Sequence, residues 1–288
     1  MDELICSPEF RPRCLGSGAE GFIFKLDNVH FSYLNKFPAL CGIDMEIKKA
    51  EKIAVLGANG SGKSTLLQLL DALIFPGKGS VEAFGRKLLE TDFSDPEFCR
   101  SFRSRVGLVF QNPDIQLFCS TVKEDIYFGP LQLGVEKNEA KKRVERITEG
   151  LRIGDLLDRA PHQLSVGEKR KAAIATVLAI EPEVILLDEP TAGLDPQTAR
   201  HIIDIIIEAN ERGKTIITAT HDLHIVEEIA DTVYILSREK RVARFGPADK
   251  LLSDTGLLQE HNLTHIHKHK HNGQAHIHSH QHLDHHEH

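Results

Sequence analysis

A glycine-rich stretch constrains the fold of this chain more than any other feature. Residues 57–65 read GANGSGKST, follow the short apolar run Ile53–Leu56 and lead into the amphipathic segment Ser64–Ala72. Glycines allow backbone N–H groups to wrap around a phosphate, and the N-terminus of a following helix adds a positive end. The stretch therefore predicts a buried strand, a phosphate-binding loop and a helix, in that order.

The side chains of this loop have distinct predicted roles. The Lys63 ammonium reaches the β- and γ-phosphates of a nucleotide, and the Ser64 hydroxyl coordinates Mg²⁺. A glycine-rich turn without a ligand is the alternative, and the spacing and placement argue against it. The residues expected to contact the nucleotide are Gly57, Asn59, Gly60, Ser61, Gly62, Lys63, Ser64 and Thr65.

A second apolar run ends in two carboxylates. Asp188 and Glu189 follow Val184–Leu187, which predicts that they lie at the sheet edge where phosphates bind in open α/β folds. Asp188 is a predicted Mg²⁺ partner, usually through water, because a hard cation prefers carboxylate oxygen. Glu189 is predicted to polarise the water that attacks the γ-phosphate. Such acidic turns are common alone, but together with the loop they indicate phosphoryl chemistry.

Short apolar runs alternate with amphipathic stretches from residue 23 to about 260. Unbroken apolar runs are typical of strands buried on both faces of a parallel sheet, and their alternation with helices predicts an α/β core. Two earlier segments alternate with period two, which predicts antiparallel strands. The predicted elements are the buried strands Ile53–Leu56, Val106–Phe110, Val184–Leu187 and Thr215–Thr220, the antiparallel strands Phe22–Tyr33 and Cys41–Ile47, and the helices Ser64–Ala72, Glu139–Leu151, Glu168–Ile180 and Pro196–Arg212.

Further motifs carry a resemblance to one family. Residues 164–170, LSVGEKR, precede a predicted helix and lie upstream of the two carboxylates. Together with the phosphate-binding loop, they resemble the signature sequence of ABC-type ATPases. The other matches, in the family's order, are Tyr33 for the aromatic residue against adenine, Gln111 for the Q-loop, Ala192–Asp195 for the D-loop and His221 for the switch histidine.

The signature is a variant of the usual LSGGQ pattern. Val166 replaces a glycine and Glu168 replaces the glutamine, whereas Ser165 and Gly167 remain. The retained pair supplies the hydroxyl and the close backbone approach that a γ-phosphate needs, so we expect a competent site. In this family the signature of one subunit completes the ATP site of the other. The resemblance therefore implies a homodimer with two ATP molecules, each between Lys63 of one subunit and the signature of its partner.

The resemblance also implies the fold class and the roles of the remaining residues. The expected fold is an α/β P-loop ABC ATPase with a parallel-sheet core, an antiparallel β subdomain and a helical subdomain at about 112–165. A flexible extension at 1–22 precedes the ATPase domain at 23–250, and a C-terminal segment at 251–288 includes a disordered His-rich tail from 261. The implied site is catalytic Glu189, His221, Lys63 and Gln111, ATP contacts from Tyr33, Ser165, Gly167 and Asp195 besides the loop, and Mg²⁺ held by Ser64, Gln111 and Asp188.

The segment from residue 109 to 130 narrows the resemblance. It reads VFQNPDIQLF, then TVKEDI at 121–126 and FGP at 128–130. These motifs look like those of the ATPase subunits of energy-coupling-factor importers, including the CbiO/NikO group for cobalt and nickel. That likeness implies a transmembrane coupling subunit that docks on the helical subdomain, a substrate-binding membrane subunit, and a peripheral position on the cytoplasmic face of the cell membrane.

Composition argues against several other classes of protein. The 35 Lys and Arg against 42 Asp and Glu give a formal charge of −7, which argues against a nucleic-acid partner. Each apolar run is shorter than the roughly 18–20 residues of a membrane span, and the N-terminus lacks the apolar stretch of a signal peptide. The 5 cysteines are scattered without a CxxC pair, which indicates reduced thiols. These features argue against secretion and membrane integration.

The C-terminal tail is unusually rich in histidine. Of the 17 histidines, 12 lie between His261 and His288. Neutral imidazole binds Ni²⁺, Co²⁺, Zn²⁺ and Cu²⁺, so the tail is predicted to collect transition-metal ions, Ni²⁺ or Co²⁺ in particular. A solubilising tail and a purification tag are the alternatives, and the interspersed Lys, Ile, Ser and Gln argue against a tag. The predicted ligands are His265, His267, His269, His271, His276, His278, His280 and His282.

These features together predict an ATP-hydrolysing subunit that powers import of a divalent transition metal, with nickel or cobalt favoured. A zinc-importer ATPase of the conventional ABC type is one alternative, and the segment 109–130 argues against it. A soluble ABC ATPase of translation or DNA repair is another, but such proteins generally have two cassettes or a long coiled-coil insertion. A metal-storage protein is the third, and the six nucleotide-site motifs argue against it.

Overall fold

The computed structural model describes residues 21–271 and 274–281, and its elements confirm the P-loop α/β fold. The predicted N-terminal extension lies outside the described residues as far as residue 20. In chain order the strands and α-helices are β1 (Phe22–Tyr33), β2 (Phe37–Lys48), β3 (Lys52–Leu56), α1 (Lys63–Leu70), β4 (Lys78–Ala83), β5 (Arg86–Lys87), α2 (Pro96–Arg103), β6 (Val106–Val109), α3 (Val122–Gln132), α4 (Lys137–Leu151), α5 (Val166–Leu178), β7 (Val184–Asp188), α6 (Pro196–Glu211), β8 (Thr215–Thr220), α7 (Leu223–Ile229), β9 (Thr232–Leu236), β10 (Val242–Pro247), α8 (Ala248–Ser253), α9 (Thr255–Glu260), β11 (Thr264–His271) and β12 (Gln274–Gln281).

A six-stranded sheet carries the phosphate-binding loop. Its strand order is β10-β9-β3-β8-β7-β6, and the neighbouring strands are parallel except for the antiparallel pair of β9 and β10. The four runs predicted as buried parallel strands are β3, β6, β7 and β8, so that prediction is confirmed. Strand β9 is equally apolar and lies parallel to β3, but it is not among the predicted strands.

The strands of this sheet are continuous apolar runs because both faces of the sheet are covered. Ile53 and Val55 of β3 belong to a hydrophobic cluster that includes α1 and the antiparallel sheet. Ala54 and Leu56, which alternate with them, belong to a second cluster on the other side, formed largely by the helices α3 to α7. Since successive residues of a strand face opposite sides, both sets must be apolar.

The second sheet is antiparallel, with the strand order β2-β1-β4-β5. Strand β1 has the predicted bounds, and β2 begins at Phe37, ahead of the predicted Cys41. In β1 the buried Phe24 and Leu26 alternate with the exposed Lys25, which is the period-two pattern seen in the sequence. This sheet supplies Tyr33 to the edge of the phosphate-binding loop.

The four predicted helices are present as α1, α4, α5 and α6, and each end lies within two residues of its prediction. Helices α3 and α4 both fall in the segment 112–165 and pack with α5 around Ile126, Val144 and Ala172. Thr121 caps α3 in a reciprocal capping box with Glu124. Within the described parts of the chain, no helix combines the length and apolarity needed to cross a membrane.

The described part of the His-rich tail forms a separate two-stranded ribbon. Strands β11 and β12 pair with each other in antiparallel register. A lone two-stranded hairpin is marginally stable at best in water. The tail was predicted to begin at residue 261, but Leu263 is 3% exposed and belongs to the core cluster formed largely by α3 to α7, so residues 261–263 are part of the packed domain.

Asp125, in the first turn of α3, is expected to be a major contributor to the stability of the helical subdomain. Its Oδ1 accepts hydrogen bonds from the backbone N–H groups of Phe118 at 3.0 Å and Cys119 at 2.9 Å, and the residue is 3% exposed. Replacing Asp125 by Ala leaves two donors without their acceptor. We expect the free energy of unfolding to fall by about 1–3 kcal/mol in urea denaturation. The same change at the exposed Asp158 is the matched control and should shift it by less than about 0.5 kcal/mol. Equal effects at the two positions would contradict this role.

Candidate nucleotide site

The site residues meet because three neighbouring strands end at the same level. Leu56, the last residue of β3, pairs with Thr220, the last residue of β8. In turn, Ala219 of β8 pairs with Asp188, the last residue of β7. The phosphate-binding loop, the second carboxylate Glu189 and the residue after β8 therefore emerge side by side at the carboxyl edge of the sheet, where ligands bind in open α/β folds.

Glycine is required at two positions of the phosphate-binding loop by close backbone approach. Gly62, which caps α1, has φ = 105°, and a Cβ there would lie 2.4 Å from the carbonyl oxygen of Ala39. A Cβ on Gly57 would lie 2.4 Å from Oγ of Ser61 and 2.9 Å from the carbonyl oxygen of Leu236. The loop is thus compressed between the end of β3 and the first turn of α1. This conformation directs the helix N-terminus at the space above the sheet edge.

Lys63 is buried at the base of this loop. Its Nζ donates to the carbonyl oxygen of Gly57 at 2.8 Å and lies 3.5 Å from Oε1 of Glu189. Both side chains of this ion pair are less than 10% exposed, at 7% and 6%. A buried ammonium with one carboxylate partner provides the positive charge that a phosphate group needs.

The Glu189 carboxylate interacts with three side chains of the site. Its Oε1 lies 2.8 Å from Nδ1 of His221, and its Oε2 accepts from the Thr220 hydroxyl at 3.1 Å. Burial alone would raise the pKa of Glu189, but the hydrogen bond and charge of His221, the charge of Lys63 and the Thr220 hydroxyl lower it below its ordinary value. The residue adopts φ = 46° and donates its N–H to the carbonyl oxygen of Ala219. It is therefore an ionised carboxylate held in a fixed orientation.

Asp188 has the surroundings of a cation ligand. Burial raises its pKa, and the hydrogen bond from the Ser64 hydroxyl opposes that shift. Its Oδ1 is buried without a hydrogen-bond partner among the described residues. A desolvated carboxylate oxygen beside a hydroxyl matches the oxygen ligands that Mg²⁺ prefers. These two side chains therefore fit the predicted Mg²⁺ site.

A cavity of about 420 Å³ opens above this edge. Of the predicted nucleotide-site residues, it brings together Tyr33, Asn59, Gly60, Gly62, Lys63, Ser64, Thr65, Gln111, Asp188 and Glu189. The Tyr33 hydroxyl lies 3.1 Å from Oγ1 of Thr65, which fixes the aromatic ring at the rim of the cavity. His221 reaches the site through Glu189. Sequence reasoning missed Lys240, which lines the cavity and donates to the carbonyl oxygen of Gly60; nothing in its local sequence signals that role.

The Q-loop is bonded to helix α5, which sequence reasoning also missed. The buried Arg170 donates to the carbonyl oxygens of Phe110 at 2.8 Å and Gln111 at 2.6 Å. Gln116 accepts from the Phe110 N–H at 3.2 Å and donates to the carbonyl oxygen of Ala173 at 2.8 Å. The available signal was a charged residue on the apolar face of a predicted helix. These bonds hold the Q-loop against the helix that begins at the signature sequence.

Ser165 and Gly167 of the signature and Asp195 of the D-loop are not among the described residues that line the cavity. Ser165 caps α5, and its N–H donates to Oε2 of Glu168 at 2.7 Å. Glu168 thus keeps a capping box in place of the family's usual glutamine, and the hydrogen bonds from Ser165 lower its pKa. Asp195 caps α6 by accepting from the N–H of Thr198 at 3.0 Å. All three residues lie at helix N-termini away from this chain's own cavity.

The predicted transition-metal ligands lie in the tail. His282 falls outside the described residues, and the other predicted ligands are placed by backbone register only. Within residues 21–263, whose side chains the structure describes, no three His, Cys, Asp or Glu side chains are grouped to hold a metal ion.

Comparisons with known proteins identify the family of this chain. The model of the family described as ABC transporter matches residues 40–192. The nickel import ATP-binding protein NikO of Rhodobacter capsulatus is 47% identical over 83% of this chain and 95% of that protein. The energy-coupling factor transporter ATP-binding protein EcfA of Methanothermobacter thermautotrophicus is 40% identical over 84% of this chain and 76% of that protein.

A solved structure gives the same result. That of cbiO1 from Clostridium perfringens, part of the ABC transporter complex cbiONQ, superposes with a TM-score of 0.71 at 36% identity, covering 84% of this chain and 95% of that one. These likenesses agree with the resemblance to the ATPases of energy-coupling-factor importers. The chain belongs to the ABC transporter family, as an ATP-binding subunit that hydrolyses ATP.

Proposed function

We propose that this chain powers the import of a divalent transition metal, nickel or cobalt, from the cytoplasmic face of a membrane complex. ATP hydrolysis follows from the family. The observation that carries its assignment to these residues is the buried cluster in which the Glu189 carboxylate lies between Lys63 and His221 at the cavity floor. The choice of metal is supported by the relative NikO and by the composition of the tail.

Nucleotide binding in this proposal uses the charges of the cavity. Lys63 and the N-terminus of α1 bind the β- and γ-phosphates, and Tyr33 stacks on the base. Ser64, Asp188 and Gln111 hold Mg²⁺, which neutralises phosphate charge during phosphoryl transfer when it is bound. The buried Oδ1 of Asp188 supports this role because it has no hydrogen-bond partner among the described residues.

Glu189 acts in this proposal as the general base for the attacking water. Its lowered pKa keeps it ionised at neutral pH, so it can accept the proton. His221 positions the carboxylate through Oε1, and Thr220 holds Oε2. When a phosphate binds to Lys63, the lysine interacts with both the γ-phosphate and Glu189. Its electrostatic attraction for the Glu189 carboxylate then weakens, which makes that carboxylate a stronger base.

Assembly completes the site. ATPases of this family work as dimers with transmembrane subunits. We propose a homodimer in which Ser165 and Gly167 at the N-terminus of α5, together with Asp195, contact the ATP bound to the partner chain. The exposed position of Asp195 and the capped, accessible start of α5 support this arrangement, since both are outside the chain's own cavity.

A groove in the helical subdomain suits a membrane subunit. A cavity of about 440 Å³ is lined by Phe118, Tyr127, Phe128 and Leu131 and by the acidic Glu124. Phe118 is 64% exposed and Phe128 44%. Exposed aromatic residues grouped around a groove mark a protein-binding surface. We propose that the transmembrane coupling subunit docks here, and that a substrate-binding membrane subunit completes the complex.

The importer proposal predicts the partners and cargo that the chain carries from its native membrane. We expect the untagged chain, purified from detergent-solubilised membranes of its host, to bring with it two membrane subunits and to contain nickel or cobalt by elemental analysis. Zinc in their place would assign the conventional zinc-importer alternative. Recovery without any membrane protein would contradict the transport function and favour a soluble ATPase.

The proposed base predicts a separation of binding from turnover. Glu189→Gln preserves the shape and the hydrogen-bond acceptor but removes the proton acceptor, so we expect steady-state ATP turnover to fall by about 10²–10⁴-fold. Nucleotide affinity, measured by calorimetric titration, should change only a few-fold. Glu211→Gln, at an exposed position near the end of α6, is the matched control and should hydrolyse ATP like the wild type. Turnover near the wild-type rate in Glu189→Gln would remove Glu189 from this role.

The tail is proposed to bind the transported metal or a close chemical relative. Deleting residues 264–288, after the buried Leu263, should leave basal ATP turnover close to the wild-type value, because the nucleotide site lies entirely outside that segment. We expect Ni²⁺ or Co²⁺ titration to show several sites in the full chain that vanish on truncation. Equal metal stoichiometry in both proteins would contradict metal binding by the tail and leave the ATPase assignment intact.

A further inference from the structure

The two strands of the tail place histidine opposite histidine. In the antiparallel register of β11 and β12, His265 pairs with His280, His267 with His278, and His269 with His276. In the sequence Asn272-Gly273 separates the two strands; the dipeptide is a strong sequence signal for a hairpin, and both residues lie outside the described ones. A scattered distribution of histidines would not produce three such pairs in succession.

The same register sorts the histidines onto one face. Alternate residues of a strand lie on one face, and directly opposite residues share it. The three pairs therefore occupy a single face of the ribbon, together with His271. The other face takes the intervening positions, which are Thr264, Ile266, Lys268 and Lys270 on β11 and Ala275, Ile277, Ser279 and Gln281 on β12.

Cross-strand partners have the spacing that one metal ion needs. Two nitrogen ligands on one zinc ion lie within about 4 Å of each other, since each bond is roughly 2.0–2.1 Å long. The Cβ atoms of directly opposite residues are about 4.5–5.5 Å apart. Same-face neighbours along a strand are about 7 Å apart, at about 3.4 Å per residue. Bridging across the strands is therefore the closer match.

We propose that the tail is a metal-closed β-hairpin with three two-imidazole sites, formed by the pairs His265–His280, His267–His278 and His269–His276. This inference rests on the proposed metal binding of the tail and adds its geometry and stoichiometry. Each ion bridges the two strands and so adds its binding free energy to a pairing that is marginal alone. The three sites are equivalent because residues two apart on an antiparallel ladder have the same pair type.

Two double variants with the same number of histidines test the pairing. His265→Ala with His280→Ala removes one complete pair. His265→Ala with His276→Ala breaks two pairs and leaves His269 and His280, which are separated by about 14 Å along the ribbon. In the full chain, titrated with Ni²⁺ alone, we expect the paired variant to lose one site and the unpaired variant to lose two. Both variants should retain the wild-type rate of ATP hydrolysis, because neither change touches the nucleotide site.

Amide hydrogen exchange provides a second measurement. Ni²⁺ should slow exchange across both 264–271 and 274–281 in the wild type, and by a smaller factor in the unpaired variant than in the paired one. Equal loss of sites in the two variants, or no protection by Ni²⁺, would overturn the hairpin model while leaving metal binding by the tail in place. If deletion of 264–288 removes no Ni²⁺ site, the tail's metal role fails as well. The importer assignment is tested separately by the membrane subunits that accompany the chain.

Discussion

The register of three parallel strands is the constraint on which the nucleotide site depends. Leu56, Thr220 and Asp188 are the last residues of adjacent strands and end at one level of the sheet. This alignment brings Glu189 within hydrogen-bond or ion-pair distance of Lys63, the first residue of α1, and of His221, which follows β8. A register shift of one residue would turn each strand's side chains to the opposite face and separate these groups. Burial of apolar residues on both faces of the sheet is what fixes the alignment.

The sequence predicted the core of this fold because its signals are local. The apolar runs, the helix periodicity and the glycine spacing each act over fewer than about twenty residues, and all of them reappear in the structure. Strand β9 was missed although TVYIL has the same apolar character as β3, so the signal was present. Strands β4 and β5 were missed for a different reason. Their residues KGSVEA and RK are polar on the exposed side and are held as strands mainly by pairing with β1 and with each other.

Most of the nucleotide site was predictable, and the unpredicted part depends on distant contacts. The motif residues that line the cavity follow the ends of strands, so their position is a consequence of topology. Arg170, Gln116 and Lys240 act through backbone carbonyl and N–H groups of other segments. The position of Arg170 on the apolar face of a helix signals a buried partner, but the sequence near these residues does not show which backbone groups they contact. The pairing of the tail histidines could not be predicted from composition either. A histidine-rich composition predicts metal ligands but not which of them lie opposite one another.

The hydrogen bonds of Arg170 join the Q-loop to helix α5. A guanidinium is a rigid planar group, and that of Arg170 donates hydrogen bonds to two consecutive carbonyl oxygens of the Q-loop. Arg170 belongs to α5, the helix that Ser165 caps. The Q-loop and the first turns of α5 are therefore held together at two points. In the proposed homodimer, where Ser165 contacts the ATP bound to the partner chain, the Q-loop beside one ATP is thus bonded to the helix that contacts the other. A movement of either segment would therefore shift the other, which would link the two nucleotide sites of such a dimer.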